Sequence, residues 1–456
     1  MFVSTNPATE EIVGRYPAIS GEECSHRLSE SADAGRQWAN TPLDERVRIL
    51  DQLGSLLLRD DLLQSSAAMI TSEMGKPIEQ ARAEVRKCAS VCHYVVEHAH
   101  RLFAAVPVDA GFASGHVLAA PLGTILCIMP WNFPFWQFFR FAVPALAAGN
   151  SVLLKHAPTT WGSALAAVEI CRMAGIPDGV VQPLMIDVEH IASAIASHHV
   201  HAVTFTGSTK AGAIVAEHAG RAVKKTVLEL GGSDPYLVLD DANIDAAVEA
   251  CVAGRMVNTG QSCVAAKRWI VADSLYDAFL ERAKNVVAQH VVGDPQHPAT
   301  TLGPIARPDL RDQLRRQVAE SIEAGACYHG GGQSLPSTGY FVEPGILEAQ
   351  PGTVAFDDEL FGPVACLTRA VSDDHAIALA NASVYGLGAA VFSSNTTRAH
   401  HVAGRIRSGM VFVNTFVRSD PRLPFGGVGM SGYGRELGHA GMMEFVNLRT
   451  IVRHQP

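Results

Sequence analysis

The chain has 456 residues, of which 48% are hydrophobic and 18% charged, and a formal net charge of −9. That length exceeds what a single core accommodates and predicts two domains with room for a small appendage. The composition is that of a packed globular protein, which excludes a disordered or fibrous chain, and the acidic balance offers no basic surface to a nucleic acid.

In chain order, residues 1–20 read as a short hairpin turning at Asn6-Pro7-Ala8-Thr9. From Ser20 to Arg101 the pattern is helical. Ser20-Gly21-Glu22-Glu23 resembles a helix cap, and Leu43–Leu50 and Glu79–His100 carry apolar residues at helical spacing. Residues 103–120 break that pattern with Gly and Ser and read as a protruding hairpin. Strands and helices then alternate: strands at Ile125–Met129, Ser151–Lys155, Val180–Met185 and Ala202–Thr206, helices at Pro134–Ala148, Thr160–Ala174, His190–Ala196 and Ala211–Ala219. Short, continuously apolar strands between helices predict a doubly wound parallel sheet covered on both faces, with ligands beyond the carboxyl ends of its strands. After Gly231-Gly232 a second α/β unit begins, with strand Pro235–Leu239 and helix Ile244–Met256, and continues to about Asn414. A glycine-rich run, 422–436, leads to a final edge strand near Phe445–Val452.

The nine cysteines, scattered and without a Cys-x-x-Cys pair, predict a reducing compartment and no structural metal. The runs His198-His199-x-His201 and His400-His401 lack the i, i+4 spacing of a zinc site. The first residues carry no secretory pattern, and no window reaches eighteen uninterrupted apolar residues, so a cytoplasmic protein without a membrane partner is expected.

Several stretches hold residues suited to chemistry. Gly260-Gln261-Ser262-Cys263 places a cysteine between a glycine turn and the strand-like Trp269-Ile270-Val271, where a nucleophile is accessible. Glu229 ends an apolar strand before Gly231-Gly232 and is placed to act as a base, although a strand-end Glu is more often solvated. The strand Ala202–Thr206 runs into Gly207-Ser208 and a helix, the geometry that aims backbone N–H groups at a pyrophosphate; Gly207-x4-Gly212 falls short of the full dinucleotide fingerprint. Lys155 ends a parallel strand of the same sheet. With Pro134 at the first helical position, Trp136 and Arg140 share a helix face that Asn132 adjoins. There an amide can hold an oxyanion and a guanidinium can hold a carboxylate. The competing reading is that Arg140 pairs with a carboxylate of the protein itself.

Taken together, Pro130-Trp131-Asn132-Phe133-Pro134, Phe205-Thr206-Gly207-Ser208, Leu228-Glu229-Leu230-Gly231-Gly232, Gly260-Gln261-Ser262-Cys263, Glu359-Leu360-Phe361-Gly362-Pro363 and Pro424-Phe425-Gly426-Gly427 resemble the aldehyde dehydrogenase superfamily over essentially the whole chain. The resemblance implies an α/β fold: a Rossmann-type cofactor domain (1–102 and 121–230), an α/β catalytic domain (231–420) and a β-strand oligomerisation arm (103–120 and 443–456) that builds a homodimer or homotetramer. It further implies Cys263 as nucleophile, Asn132 as oxyanion donor and Glu229 as the base that activates water. A free thiol of pKa ~8.5 is only about 3% thiolate at pH 7, so activation of Cys263 by its surroundings is expected. By the same resemblance Trp131, Lys155, Pro158, Gly207, Ser208, Glu359 and Phe361 adjoin the cofactor, NADP or NAD. Pro158 stands where many NAD-preferring relatives carry a ribose-binding Glu, which favours tolerance of NADP. Trp136, Arg140 and the run Val417–Pro424 are similar to succinate-semialdehyde dehydrogenases of the bacterial short type, which implies that Arg140 and Ser419 grip a distal carboxylate beside Trp136. Glutarate semialdehyde, a small aliphatic aldehyde, transfer of the acyl group to coenzyme A and a non-catalytic role on the same fold are the rival readings; the presence of both Cys263 and Glu229 argues against the last two.

Overall fold

The computed structural model describes residues 1–110, 113–330, 332 and 334–454. The chain opens with an antiparallel hairpin, β1 (Phe2–Thr5) and β2 (Ile12–Tyr16). Four helices follow: α1 (Gly21–Asn40), α2 (Leu43–Leu57), α3 (Asp60–Met74) and α4 (Ile78–Leu102). Ser20 caps α1 by accepting the Glu23 N–H at 3.1 Å, as its sequence pattern suggests. Along α4 the residues Val85, Cys88, Val91, Cys92 and Val95 form one buried stripe, and Glu84 is buried with them. That acid on an apolar face matters below.

Next come β3 (Val106–Asp109) and β4 (Ala113–Pro121), then an alternating run: β5 (Thr124–Ile128), α5 (Trp136–Ala147), β6 (Ser151–Lys155), α6 (Trp161–Met173), β7 (Val181–Pro183), α7 (Ile191–Ala196), β8 (Ala202–Thr206), α8 (Thr209–Arg221) and β9 (Lys225–Glu229). A second run holds β10 (Asp234–Val238), α9 (Ile244–Met256), β11 (Ala266–Ala272), β12 (Cys327–Gly330), β13 (Gly345–Glu348), β14 (Val364–Ala370), β15 (Gly388–Phe392) and β16 (Met410–Val413). The chain closes with β17 (Gly432–Tyr433) and β18 (Val446–His454).

Two mostly parallel sheets carry the structure. The first has the order β17-β9-β8-β5-β6-β7, parallel except for β17. Every residue of β5, β6 and β8 is buried, as a parallel sheet covered on both faces requires. From β5 the chain winds outward through β6 and β7, then returns to the other side of β5 with β8. The crevice between the carboxyl ends of β5 and β8 is therefore the switch point at which such sheets bind ligands. The second sheet has the order β12-β13-β14-β11-β10-β15-β16, with only β12 antiparallel. It follows β9 through Leu230-Gly231-Gly232-Ser233, which brings the carboxyl end of the first sheet up to the amino ends of β10 and β11.

A third sheet, β18-β4-β3, is antiparallel, with Val446 to His454 paired against Pro121 to Ala113. It leaves Val106, Val108, Leu448, Ile451 and Val452 exposed. Residues 111–112 and 455–456, which fall in the stretches expected to form an arm, lie outside the described residues. Among the described residues no helix is long and apolar enough to cross a membrane.

One local expectation is corrected. Helix α5 begins at Trp136, so Pro134 lies in the turn before it, and the proline inside the helix is Pro144. The reason is a cap supplied from elsewhere: Glu84 Oε1 on α4 accepts the N–H groups of both Phe135 and Trp136 at 3.0 Å. A buried carboxylate thus satisfies donors that a local cap would otherwise take.

Candidate active site

Cys263 lies in the loop between α9 and β11, and that loop is held under backbone strain. Asn258 and Thr259 are buried with φ of 53° and 55°, and Gly260 follows at 72°. A β-branched residue there costs about 1–3 kcal/mol and persists only where its surroundings fix it. They do. Arg255, fully buried, donates to the carbonyls of Val364 at 2.8 Å and Leu360 at 2.7 Å. Thr259 Oγ1 accepts the Gly303 N–H at 3.0 Å, and Gln261 accepts from Ala306 N at 2.9 Å. Lys267 Nζ donates to the carbonyls of Ser262 at 2.9 Å and Cys263 at 2.6 Å.

Asn132 approaches the same loop from the turn after β5. Its Nδ2 donates to Gln261 O at 3.1 Å, while its own carbonyl receives Lys76 Nζ at 2.9 Å and Asn258 Nδ2 at 2.8 Å. Lys76 in turn pairs with Glu84, with both side chains 1% exposed. One carboxylate therefore fixes the start of α5 and, through Lys76, the Asn132 backbone.

Two cavities meet at Cys263 and Gln137, which line both. The larger, of 610 Å³, lies at the switch point of the first sheet and is walled by Trp131, Asn132, Gly207, Ser208, Glu359 and Phe361 among others. The smaller, of 260 Å³, runs beside α4 and α5 and is walled by Lys87, Trp136, Arg140, Arg418, Ser419 and Phe425 among others. The cysteine thus faces two compartments of different character.

The walls of the larger cavity suit a dinucleotide. Ser208 is the N-cap of α8 and accepts the Ala211 N–H at 3.3 Å, so the first turn of the helix opens towards this space. A Cβ at Gly207 would lie 2.6 Å from the Phe205 ring, and one at Gly231 would lie 2.6 Å from Glu359 Oε2. A side chain at either position would have to displace that ring or that carboxylate. Trp131 and Phe361 meet edge to face at 5.8 Å. Glu359 accepts the Gly232 N–H at 3.2 Å and pairs with Lys267 at 3.0 Å. Lys155 and Pro158 lie outside this wall. Lys155 is 6% exposed at the end of β6, burial lowers its pKa, and Pro158 stands exposed in the turn beyond.

Behind the cysteine sits a cluster of charge. Glu229, the last residue of β9, is 2% exposed, and neither carboxylate oxygen has a hydrogen-bond partner. Burial raises its pKa well above the ordinary carboxylate range; the charge of Glu436 raises it further, and Arg140 and Arg435 oppose that. Its carboxylate lines neither cavity, so reaching the cysteine requires the side chain to turn. Arg140 is not a free cation. Its Nε pairs with Glu436, both side chains being 2% exposed, and its guanidinium lies 4.7 Å from the Phe425 ring centroid. The competing sequence reading, a carboxylate of the protein as partner, is the arrangement observed. Neither Arg140 Nε and Nη2 nor the Glu436 oxygens have a hydrogen-bond partner of regular geometry, so the pair is joined by charge and proximity.

Burial pushes the Cys263 thiol up to about 12, opposed by Arg140 and Lys267 and reinforced by Glu229 and Glu359. Desolvation thus outweighs the two cations at the thiol.

A model of the aldehyde dehydrogenase family matches residues 1–451. The chain belongs to the aldehyde dehydrogenase family. This aldehyde dehydrogenase is 44% identical over 450 residues to the succinate semialdehyde dehydrogenase [NAD(P)+] Sad of Escherichia coli K12, covering 98% of the chain and 97% of that protein. It is also 44% identical over 454 residues to the succinate-semialdehyde dehydrogenase [NADP(+)] of Deinococcus radiodurans, covering 99% and 94%. Among solved structures it is similar to the succinic semialdehyde dehydrogenase of Streptococcus pyogenes in complex with NADP+, with a TM-score of 0.96, 34% identity and complete coverage of both chains.

Four residues of this aldehyde dehydrogenase site escaped the sequence reading. Lys76 and Lys267 follow no pattern that separates them from solvated lysines. Glu436 was visible only as part of the glycine-rich run. Lys87, which reaches into the smaller cavity, sits between Arg86 and Cys88 on an amphipathic helix and reads as surface. A cluster of Cys327, His329 and Glu348, whose ligand atoms lie within 4.8 Å of one another, also went unnoticed, because Glu348 joins only through the register of β12 and β13. There His329 Nε2 and Glu348 Oε1 already hydrogen-bond at 2.8 Å.

Proposed function

We propose that the protein oxidises succinate semialdehyde to succinate with NADP, and also with NAD, through thiohemiacetal and thioester intermediates on Cys263. The observation that carries this reading is the position of Cys263 at the junction of two cavities, one shaped for a dinucleotide and one with Trp136, Arg140 and Ser419 in its wall. The names of the relatives in Escherichia coli, Deinococcus radiodurans and Streptococcus pyogenes support the same substrate and cofactor.

The residues divide the work. Cys263 attacks the aldehyde carbon, and the oxyanion is received by the Asn132 side-chain amide and the Cys263 N–H. Asn132 is suited to this because Lys76 and Asn258 fix its backbone carbonyl and Gln261 O takes only one of the two N–H groups of its side-chain amide. The larger cavity would hold the nicotinamide cofactor between Trp131, Gly207, Ser208, Glu359 and Phe361, with Lys155 and Pro158 as further contacts, and the cofactor would supply the hydride acceptor. Pro158 places no carboxylate against a 2′-phosphate. Glu229 takes the proton of the water that resolves the thioester; a raised pKa makes it a stronger base than an exposed carboxylate.

The domain reading belongs to the same proposal: the six-stranded sheet with its helices as cofactor domain, the seven-stranded sheet as catalytic domain, and β3, β4 and β18 as an oligomerisation arm. The exposed Val106, Val108, Leu448, Ile451 and Val452 support the last, since an apolar antiparallel sheet calls for a cover and a homodimer or homotetramer provides one. A cytoplasmic location is proposed on the nine free thiols.

The test is the initial rate of nicotinamide reduction with succinate semialdehyde, glutarate semialdehyde and butyraldehyde, each with NADP and NAD and without coenzyme A. The expected outcome is a kcat/KM for succinate semialdehyde at least tenfold above butyraldehyde, since a charge-assisted contact contributes about 1.5–3 kcal/mol. Equal rates on the two, or a requirement for coenzyme A, would overturn the assignment.

A further inference from the structure

The proposed substrate carries a carboxylate, and the smaller cavity must compensate that charge on taking it out of water. Its charged walls can be counted. Lys76 is matched by Glu84, and Arg140 is matched by Glu436. Arg418 is exposed at the rim, its guanidinium 5.6 Å from the Phe416 ring. Lys87 remains: partly buried on α4, lining the cavity, and with no carboxylate in ion-pair contact among the described residues, although the charges of Glu84 and Asp420 act on it from further off. Its Nζ donates to Ser419 Oγ at 2.6 Å and lies 4.4 Å from the centroid of the Trp136 ring.

We propose that Lys87 is the specificity-determining cation of this site, receiving the distal carboxylate of the substrate together with Ser419. The proposal rests on the succinate-semialdehyde reading above and adds one contact to it. Arg140, expected from the sequence to grip the carboxylate, keeps an unpartnered donor for it but has its charge matched by Glu436. Lys87 adds a cation that no carboxylate contacts directly. The two residues that hold its ammonium, Trp136 and Ser419, are those set beside the carboxylate by the family resemblance, so all three meet at one place in the wall of the cavity that Cys263 also lines. An ammonium over a π face and a hydroxyl still has donors to spare, and an anion is the partner this geometry lacks. Burial, first, and the neighbouring Arg140 bring Lys87 down to about 8, which is the strain that a bound anion relieves.

The test compares the wild type with Lys87→Met and Lys87→Arg, reading kcat/KM for succinate semialdehyde divided by kcat/KM for butyraldehyde. The Met variant should lower that ratio about 10- to 100-fold, through KM more than kcat, and Arg should restore most of it. A ratio within threefold of wild type, or an equal loss on both aldehydes, would overturn the role of Lys87. The outcome separates from that of the underlying reading. A wild type without preference for the acid overturns both, whereas a preference that survives in Lys87→Met overturns this inference alone. Should the Met variant not fold, acylation of wild-type Lys87 by an amine-reactive ester, followed by peptide mass spectrometry, decides: succinate should protect Lys87 severalfold over butyrate, and equal labelling would refute the contact.

Discussion

The pairing of Arg140 with Glu436 makes a prediction that separates a structural from a substrate role. In Arg140→Met the volume is roughly kept and the positive charge is lost, leaving Glu436 and Glu229 as two buried carboxylates without their shared cation. Removing one partner of a buried pair costs about 3–5 kcal/mol. With about 2.1 cal/mol/K of unfolding entropy per residue, a cooperative unit of this length loses about 1 °C per kcal/mol, so the melting temperature should fall by about 3–5 °C. The sign of the pH dependence follows from the direction of the shifts. Burial already holds the carboxyls of Glu436 and Glu229 above their ordinary range, with Arg140 opposing, so its removal raises both further. The folded variant then keeps protons that the unfolded chain releases above about pH 4.3, and stability falls with rising pH by up to about 1.4 kcal/mol per unit for each of the two carboxyls until its raised folded pKa is reached. The deficit should therefore be larger at pH 8 than at pH 5. Adding Glu436→Gln to Arg140→Met removes one of the stranded charges and should recover most of the loss. The assay is the melting temperature of wild type, both single variants and the double variant, at one scan rate and at both pH values. Additive single effects, or an Arg140→Met melting curve that does not move between pH 5 and pH 8, would refute the pairing.

Two further outcomes are expected. Asn132→Ala should lower kcat about 100- to 1000-fold while changing KM far less, because one oxyanion donor contributes about 3–4 kcal/mol; a loss under tenfold in steady-state rates would remove Asn132 from the oxyanion site. Pro158→Glu sets a carboxylate in the exposed turn after β6. Two like charges at 4 Å repel by about 4 kcal/mol at an effective dielectric of 20, and solvent at this turn reduces that to about 1–2 kcal/mol. The ratio of kcat/KM for NADP over NAD should accordingly fall about tenfold, and an unchanged ratio would place the 2′-phosphate elsewhere.

Most of the scaffold was legible because it is written locally. Strands β5, β6 and β8 are short apolar runs bounded by turns, and β8 and α9 fall on the residues that their patterns delimit. Cys263, Asn132 and Glu229 stood out because a nucleophile, an amide and an acid each occupy an element boundary, the place where side chains reach a crevice. What escaped reading lies where distant segments meet. The start of α5 was misplaced because its cap is Glu84, a residue of α4. The strained Asn258-Thr259 turn was invisible because Thr disfavours the conformation it adopts, and only the contacts of Thr259 with Gly303 and of Arg255 with the 360–364 loop hold it there.

Charge pairing fails to show for a deeper reason than distance. An arginine on an apolar helix face demands an anion, and the sequence alone cannot say whether that anion is part of the chain or part of the substrate. Both answers give the same local pattern, Trp136-x-x-x-Arg140, and only the position of Glu436 decides between them. With Glu436 paired to Arg140, the further cation proposed for a semialdehyde acid is Lys87, a residue whose own pattern says surface. The amphipathic face of α4 contained the clue: Glu84, four residues before Cys88 on the buried stripe, is a carboxylate where only apolar residues belong. A helix that buries an acid among Val85, Cys88 and Val91 is organised around a polar interior, and Lys87, at the edge of that stripe, is placed to serve the same interior from its open side. The specificity of the cavity is thus a property of three charges considered together, Lys87, Arg140 and Glu436, carried by α4, α5 and the closing glycine-rich segment, and no one of these segments encodes it alone.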